Sequence, residues 1–442
     1  MNDVLLEKRT VNKVFWRLMP FLGLLYIVAF LDRVNVGFAA LSMNKALGFS
    51  NAVYGFGAGI FFVGYFVMEV PGNLIMARIG ARIWIARILI TWGIISGLTA
   101  WVSTPMQFYI VRFFLGVAEA SFFPGIIYYL STWCRSRDQA KAVAFFMMAL
   151  PVCNIIGAPL SAYILGITWL NWAGWKWLFI LEAVPSVLLG IITPLYLTNK
   201  PEDAGWIDDE ERAWLVGSLA VERAAKLERK RYTLLQAFGD RDVLTLSAIY
   251  FTWMCGFYGV TMFLPTLVKA LSATMSNQTV GFLVLVPYIF GCFSMYLTGR
   301  HSDRTGERRY HTTTCMLIGA CGLAGSVALS DISVTVSMVF FTIAVMGIYG
   351  AFGPFWSIPS SFLTTTAAAG AIAMVNSIGN LGGFVGPYAM GFIREYSGSF
   401  TGGSMFLVAC LLTAAGLLMT LRKAGKDDPE VAAAAAVPLW ER

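Results

Sequence analysis

Twelve long apolar segments, separated by shorter polar stretches, run along the chain. They lie near residues 16–41, 53–76, 83–103, 106–130, 140–164, 176–197, 243–267, 279–299, 312–330, 333–357, 367–393 and 403–421. Each has roughly the 20 residues that an α-helix needs to cross the ~30 Å hydrocarbon core of a bilayer. The pattern predicts an all-α integral membrane protein with twelve transmembrane helices, called spans 1–12 below.

The composition supports a lipid environment and divides the chain in two. Hydrophobic residues make up 57% of the sequence and charged residues only 13%, whereas a soluble domain carries about 25% charge. Between residues 198 and 242 the apolar pattern stops. We therefore expect a six-helix bundle at 1–197, a cytoplasmic linker with a short helix at 198–242, a second bundle at 243–425 and a cytoplasmic tail at 426–442.

The net charge of +7 is distributed unevenly between the two sides of the membrane. If twelve spans alternate, one side carries Lys8, Arg9, Lys13, Arg17, Arg78, Arg82, Arg87, Arg135, Arg137, Lys141, Arg300, Arg304, Arg308, Arg309, Arg422, Lys423 and Lys426. Cytoplasmic loops are the ones enriched in lysine and arginine. Both termini are therefore predicted to be cytoplasmic, and this placement argues against a nucleic-acid partner.

Cysteine and histidine patterns do not indicate a metal or catalytic site. The seven cysteines are scattered, with no CxxC or other metal-ligand spacing. His301 and His311 both lie in the basic stretch between spans 8 and 9, and no Ser/His/Asp set is apparent. We predict no metal, no cofactor and no enzymatic activity, with an integral-membrane enzyme as a remote alternative.

The two groups of six spans repeat one another at a constant offset. Residues 78–82 (RIGAR), after span 2, correspond to 304–308 (RTGER), after span 8. The same offset aligns Asn and Gly at 154 and 157 with Asn and Gly at 380 and 383. A repeat of this length predicts two homologous, pseudo-symmetric six-helix bundles with a substrate site between them at mid-membrane.

Four charged residues lie inside spans of the first bundle. They are Asp32 and Arg33 in span 1, and Arg112 and Glu119 in span 4. A charge at bilayer depth costs at least ~2.5 to 3.5 kcal/mol and usually marks an ion or substrate pathway. At a rise of 1.5 Å per residue, the first three lie at a similar depth and Glu119 two turns deeper, so we expect them to face one cavity.

This constellation is suited to an anion and a proton. The arginine guanidinium stays charged and binds a carboxylate through two parallel hydrogen bonds. A neighbouring arginine keeps a buried carboxylate ionised. If a substrate anion takes the arginine, the carboxylate can accept a proton, so anion and proton favour each other's binding. With no histidine inside a span, proton coupling would fall to Asp32 and Glu119.

Several stretches resemble known transporter motifs. Residues 299–309 (GRHSDRTGERR) resemble the loop signature of the major facilitator superfamily. Within it, four stretches resemble the anion:cation symporter family: 30–38 (FLDRVNVGF), 69–74 (EVPGNL), 80–84 (GARIW) and 112–120 (RFFLGVAEA). The most similar branch is that of bacterial tartrate, 4-hydroxyphenylacetate and phthalate permeases. The first-half copy of the loop signature is degenerate, with Ala77 where an acid is usual.

The resemblance implies a fold and residue roles. It implies the major facilitator fold in a bacterial inner membrane, with Asp32 and Glu119 as proton sites and Arg33 and Arg112 as coupling and anion-binding groups. We expect the chain to act as a monomer. In the family, loops at the cytoplasmic ends of spans 2 and 8 control opening, which gives gating roles to Arg78, Arg82, Asp303, Arg304 and Arg308.

Other polar and aromatic residues complete the predicted site. Since span 11 faces the cavity in this family, Asn376 is a candidate for contacts with substrate, and Tyr65 in span 2 is a similar candidate. Tyr349 and Trp356 in span 10 are included as further substrate-binding residues. In contrast, Glu69 is expected to pair with loop arginines and Glu182 to have a structural role.

The sequence therefore favours proton-driven import of a small organic carboxylate by alternating access. Tartrate-like hydroxy acids and aromatic acids both fit an arginine-lined cavity, and the sequence does not separate them. The alternative is a facilitator or anion exchanger without proton coupling. The expected partners are a small organic anion, a proton and the lipid bilayer.

Overall fold

The structure, a computed structural model, describes residues 2–227, 241–272, 274–330, 332–358 and 365–421. Regular structure within these ranges is helical, and no β-strand occurs in them. The side chains at 2–4, 136–137, 140–141, 144, 223–227, 365–371 and 373 are not described.

The first half of the molecule contains spans 1–6. Its helices are α1 (Asn2–Leu47), α2 (Asn51–Ile79), α3 (Ala81–Leu98), α4 (Pro105–Glu119), α5 (Phe122–Trp133), α6 (Ser136–Met147), α7 (Ala149–Ile164) and α8 (Gly174–Tyr196). Two of the starts are fixed by side-chain caps, since Ser50 accepts a hydrogen bond from the Val53 amide and Thr104 from the Gln107 amide. Such caps satisfy amides that have no partner within the helix.

A helix outside the spans, α9 (Asp209–Leu227), precedes the second half. The helices of that half are α10 (Arg241–Ala270), α11 (Asn277–Thr305), α12 (Arg309–Ala328), α13 (Val334–Gly350), α14 (Phe352–Ser357), α15 (Thr365–Asn380), α16 (Gly382–Ser397) and α17 (Thr401–Thr420). In the described chain, ten helices or joined pairs are long and apolar enough to cross a membrane. Together with α12 and the pair α15–α16 they form the twelve spans, as predicted.

Four spans are interrupted, and they occupy matching places in the two halves. Spans 4 and 5 break at 120–121 and 148, and spans 10 and 11 break at 351 and 381. In span 4 the break is sharp because Ser121 has a φ of 70°, a left-handed conformation that a helix of L-residues cannot continue. Since spans 10 and 11 are the counterparts of spans 4 and 5, the interruptions repeat between the halves.

Two glycines of the sequence repeat have the same backbone role. Gly80 ends α2 with a φ of 91°, and Gly306 ends α11 with a φ of 67°. Glycine adopts this region without the steric penalty that a Cβ imposes. The repeat at 78–82 and 304–308 therefore encodes a helix end at a positive-φ glycine in each half, although ψ differs, at 148° for Gly80 and 1° for Gly306.

The two halves contact each other closely at one end of the bundle, the closed end, which carries the connections 48–50, 165–173 and 271–276. Here α2 packs against α16 with almost no side chains between them: a Cβ added at Gly55 would lie 2.4 Å from the Pro387 carbonyl oxygen. The Tyr54 hydroxyl also donates to the Met262 carbonyl at 2.7 Å. Small residues permit such close helix packing in membranes.

We expect Gly55→Leu to prevent this approach and to lower the thermal stability of the closed conformation. Overpacking a tight contact usually costs about 1–3 kcal/mol. The melting temperature of the purified protein should fall, whereas Gly416→Leu should leave it unchanged because a Cβ at Gly416 meets no described atom within 4 Å. Equal melting temperatures for the two variants would contradict this packing.

The helix α9 is fastened to the start of α1 by buried charge. Glu211 accepts hydrogen bonds from Arg9 at 2.7 Å and Lys13 at 2.8 Å, and Arg9 also reaches Asp208 at 3.0 Å. Burial by itself would raise the pKa of Glu211, but hydrogen bonds from Lys13, the Asp208 amide and Arg9 outweigh burial and lower that pKa to about 2.

The linker assignment at 198–242 stays a prediction, and residues 228–240 and the tail at 426–442 lie outside the described residues.

The depressed pKa of Glu211 makes the α9 contact sensitive to acid. The stabilisation is complete above the ordinary value of 4.5 and is lost as pH falls from there toward 2. We expect Glu211→Gln to expose α9 to amide hydrogen exchange at neutral pH. The neighbouring exposed Glu210→Gln is the control and should leave exchange slow. Unchanged protection in Glu211→Gln would show that the ion pairs do not hold α9.

Candidate functional site

A cavity lies between the two halves. Eight of the lining residues are aromatic and one, Arg33, is charged, among the residues that the structure describes. The lining consists of Tyr26, Arg33, Tyr65, Phe123, Met147, Leu150, Tyr250, Met254, Phe257, Tyr258, Phe352, Trp356, Asn376 and Asn380. Most of these lie on the side of Arg33 away from the closed end, so the cavity extends toward the opposite end.

Arg33 is the centre of the polar contacts in this cavity. Its guanidinium forms a buried ion pair with Glu119 of α4 and donates to the Tyr258 hydroxyl of α10 at 3.1 Å. The guanidinium carbon also lies 5.3 Å from the Phe61 ring centre and 5.5 Å from that of Tyr65. Aromatic faces attract a cation at these distances. Arg33 thus links the first half to the second through Tyr258.

Glu119 is placed by the interruption of span 4. It is the last residue of α4, and the chain turns at Ser121 before α5 begins. The C-terminal end of a helix carries a partial negative charge that disfavours a carboxylate there. The charge of Arg33 offsets that effect, while the second carboxylate oxygen of Glu119 has no hydrogen-bond partner among the described residues. The ion pair with Arg33 therefore holds the carboxylate in place.

Asp32 points away from the cavity, into the first half. Its carboxylate accepts hydrogen bonds from Trp92 at 2.6 Å, Ser96 at 3.0 Å and Ser186 at 2.6 Å. These donors lie on α3 and α8, and Asp32 is not part of the cavity lining. Adjacent residues of a helix face in different directions, so Asp32 and Arg33 contact different parts of the protein.

The structure does not place Arg112 in the cavity, where the sequence analysis expected it. Arg112 is fully buried behind α2, and its guanidinium donates to the carbonyls of Gly57 and Ala58 at 3.4 Å each. One of its terminal nitrogens has no hydrogen-bond partner in the part of the chain that the structure describes. The estimate of depth carried no information on the direction in which the side chain points around α4.

The structure separates the other predicted substrate residues into two groups. Tyr65, Trp356 and Asn376 line the cavity. Tyr349 does not, and its hydroxyl instead accepts a hydrogen bond from Asn154 of α7 at 3.2 Å. Tyr349 thus joins the halves in the layer next to the cavity.

The expectation for Glu69 was wrong. Within the described part of the chain its carboxylate contacts no loop arginine, and it accepts hydrogen bonds from Asn376 at 2.8 Å and Ser377 at 2.7 Å, both on α15. Glu182 is buried and accepts from Ser161 at 2.8 Å.

The residues predicted to control opening lie in the two repeated turns. Arg308 pairs with Asp303 at 2.5 Å within one turn. In the first-half turn, the Arg82 amide donates to the Asn199 side chain at 2.9 Å. Arg78 and Arg304 are exposed residues of the same two turns. The gating role of these five residues stays a prediction.

Sequence reasoning missed much of the aromatic lining. Tyr26, Phe123, Tyr250, Phe257 and Phe352 were not singled out, because aromatic residues are common in membrane helices and carry no signal of their own. Tyr258 did carry a signal, because the offset of the repeat makes it the second-half equivalent of Asp32. A polar side chain at the position equivalent to Asp32 was therefore a candidate for the interface between the halves.

Comparison with known proteins gives the family. The model of the Major Facilitator Superfamily matches residues 22–387. A protein of Agrobacterium vitis with the provisional name of tartrate transporter is 46% identical over 424 residues, covering 96% of this chain and 97% of that protein. The inner membrane transport protein RhmT of Escherichia coli is 36% identical over 423 residues, covering 96% of this chain and 97% of the RhmT chain.

Solved structures support the fold independently. The xylose transporter XylE of Escherichia coli, in a partially occluded inward-open conformation, superposes with a TM-score of 0.75 over 94% of this chain and 99% of that chain, at 15% identity. An identity this low shows the fold alone. Taken with the family match and the transporter relatives, the resemblance found in the sequence motifs is confirmed: the chain belongs to the Major Facilitator Superfamily and is a multi-pass membrane transporter.

Proposed function

We propose that this protein is a proton-coupled symporter that imports a small organic carboxylate by alternating access. The observation that carries the proposal is the buried pair of Arg33 and Glu119 at the wall of a cavity between the halves. A permanently charged donor is held there by a carboxylate that can be protonated. No other charged residue lines this cavity in the described chain.

The coupling follows from competition for Arg33. A substrate carboxylate that reaches the cavity can bind the guanidinium of Arg33 only by displacing Glu119 from it or by sharing it with Glu119. Without its counter-charge, the buried Glu119 carboxylate favours the protonated form. Anion binding thus promotes proton binding, and the reverse follows by linkage. The loaded site carries one more anion and one more proton, so the buried charge stays balanced.

Asp32 is the second proposed proton site, although it is more firmly held. Three hydrogen bonds to α3 and α8 stabilise its carboxylate. Its protonation would therefore accompany a rearrangement within the first half. For Arg112, the burial against α2 favours a role in the local electrostatic balance over direct contact with the substrate.

The lining favours a substrate with a single anchored carboxylate. Arg33 supplies the charged donor, and Asn376 and Asn380 supply amide groups that can bind hydroxyl or carboxylate oxygens. The aromatic wall suits a flat ring, while the amides suit a hydroxy acid. The provisional name of the Agrobacterium vitis relative supports a tartrate-like acid.

Alternating access needs two bodies that move against each other. We propose that these bodies are residues 1–197 and 243–425, joined by the linker at 198–242, and that the closed end faces the periplasm. The cavity then opens toward the cytoplasm, where both termini and the turns with Arg78, Arg82, Asp303, Arg304 and Arg308 lie. The bacterial inner membrane is the proposed location and a monomer the proposed unit.

Uptake in proteoliposomes tests the proposal. Radiolabelled tartrate and 4-hydroxyphenylacetate would be supplied with and without an inwardly directed proton gradient. Accumulation of either above its external concentration, only with the gradient, is the expected result. Uptake that equilibrates without a gradient would indicate a facilitator, and uptake that requires internal anion would indicate an exchanger. Chemical conversion of the substrate would instead indicate an enzyme.

A further inference from the structure

Glu69 is a buried carboxylate that joins the two halves and has no part in the coupling described above. The residue is 3% exposed. One of its oxygens accepts from the Asn376 amide at 2.8 Å, and the other from the Ser377 hydroxyl at 2.7 Å. Both donors belong to α15 of the second half, whereas Glu69 belongs to α2 of the first. A hydrogen-bonded carboxylate thus spans the interface inside the membrane.

These contacts continue the antiparallel seam between spans 2 and 11. From the closed end, the facing positions run from Gly55 with Pro387, through Gly59 with Phe384, to Glu69 with Asn376. Glu69 lies 14 residues from Gly55, which corresponds to about 21 Å along a helix. The tight backbone contact near Gly55 is thus replaced at Glu69 by a polar contact between side chains. Polar contacts of this kind depend on protonation, and packing contacts do not.

The surroundings of Glu69 make its charge state consequential. Its two hydrogen-bond donors are neutral, and no salt bridge to it occurs among the described residues. The titratable or charged groups that face it are Tyr65 on its own helix, Arg33 on α1 and Tyr250 on α10. An ionised carboxylate only accepts hydrogen bonds, so it suits both donors. A protonated one becomes a donor itself and leaves the amide nitrogen without an equally good acceptor.

Asn376 connects this contact to the substrate cavity, because the same side chain lines that cavity and donates to Glu69. A substrate oxygen that binds the Asn376 amide competes with the Glu69 carboxylate for it. Loss of the donor leaves Glu69 less well satisfied and favours its protonated form. Substrate and proton therefore act on this contact in the same direction.

We propose that Glu69 is a third proton-binding site of the transporter, and that its ionised form ties α2 to α15. Proton binding, or capture of Asn376 by substrate, releases the tie and lets the halves separate on the cavity side. This rests on the proposed function, since it assigns Glu69 a role in the same transport cycle. It differs from the sites at Asp32 and Glu119 because the contact of Glu69 crosses between the halves.

A distance measurement on the transporter tests the tie without relying on transport. Spin labels at Ile75→Cys on α2 and Ile372→Cys on α15 would report their separation in nanodiscs, after the seven native cysteines are replaced. Asp32→Asn and Glu119→Gln are added so that these two carboxylates no longer titrate. We expect acidification from pH 8.5 to pH 5.5 to shift the population toward longer distances by at least about fivefold, the lower range of linked binding.

Further variants assign the shift to Glu69. With Glu69→Gln added, the distances should no longer depend on pH. Glu182→Gln is the matched control, since it removes another buried carboxylate away from the seam, and it should leave the shift intact. Ser377→Ala removes one donor without altering the cavity lining, so the transition should move to higher pH. A shift that persists in Glu69→Gln, or no shift while Glu69 is present, would overturn the proposal.

Failure of this proposal and failure of the proposed function give different results. If uptake in proteoliposomes ignores the proton gradient but the distances still respond to pH through Glu69, the tie exists and proton-coupled import is wrong. If uptake depends on the gradient while the pH dependence of the distances does not require Glu69, the proposed import is supported and the proposed role of Glu69 is wrong. Melting temperatures within the range of the parent protein would establish that each variant is folded.

Discussion

Arg33→Lys should reduce substrate binding and uptake by roughly tenfold to a hundredfold, the loss expected for one charge-assisted hydrogen bond at about 1.5–3 kcal/mol. Lysine keeps the charge but cannot present the planar fork that matches a carboxylate. It would also be a poorer partner for both Glu119 and Tyr258 at once. Isothermal titration and initial uptake rates in proteoliposomes measure the two effects.

A matched arginine outside the cavity provides the control for this result. Arg87 of α3 lies 3.8 Å from the Trp84 ring centre and does not line the cavity. Arg87→Lys should therefore bind and transport at nearly the parent rate. If Arg33→Lys behaved like Arg87→Lys, the carboxylate would have to be recognised by some other group, and the proposed coupling would lose its basis.

Glu119→Gln should abolish accumulation driven by a proton gradient while preserving exchange of substrate across the membrane. Glutamine cannot take up a proton, so anion binding at Arg33 is no longer linked to protonation of its buried partner. The substitution also removes the anion that competes for Arg33, which keeps the guanidinium available to substrate. Counterflow of labelled against unlabelled substrate, compared with net uptake under a gradient, separates these two activities.

The control for Glu119 is Glu182, a buried glutamate of the first half whose hydrogen bond goes to Ser161 and not to Arg33. Glu182→Gln should keep gradient-driven accumulation, because Glu182 is bonded to Ser161 and is not part of the cavity lining. Undiminished accumulation in Glu119→Gln would exclude this residue as a coupling site. Loss of exchange in the same variant would instead indicate that Glu119 is needed to build the site.

The lengths of the apolar segments were sufficient to predict the twelve spans, because lipid imposes a fixed length and a uniform polarity on every crossing helix, and the motifs that recur at a constant offset predicted the repeat. The turns at Gly80 and Gly306 were also foreseeable from the recurring Arg-Gly-Arg pattern. The interruptions of spans 4, 5, 10 and 11 were not. Span 4 breaks beside Glu119 and span 11 breaks in the glycine-rich stretch 379–383, but the unbroken α2 also contains several glycines, so these residues alone do not locate a break.

The site was predicted less completely than the fold. Arg33 was identified from its charge and depth, and the structure places it in the cavity. Arg112 satisfied the same two criteria but points toward the carbonyls of α2. Glu69 finds its partners at positions 376 and 377, about three hundred residues away, and nothing in the local sequence indicates such a contact. Side-chain direction and contacts between halves are properties of packing, which one sequence does not reveal.

Among the residues that the structure describes, the cavity lining holds one cation, Arg33, and this has an electrical consequence. If Glu119 alone takes up a proton as Arg33 binds substrate, a monocarboxylate crosses with no net charge, whereas a doubly ionised acid carries one negative charge inward. Moving that charge against an interior-negative potential costs about 2.3 kcal/mol per 100 mV. Import of a doubly ionised acid would then need at least one further proton to avoid opposition by the membrane voltage. The number of titrating carboxylates therefore sets which acids the cell can concentrate.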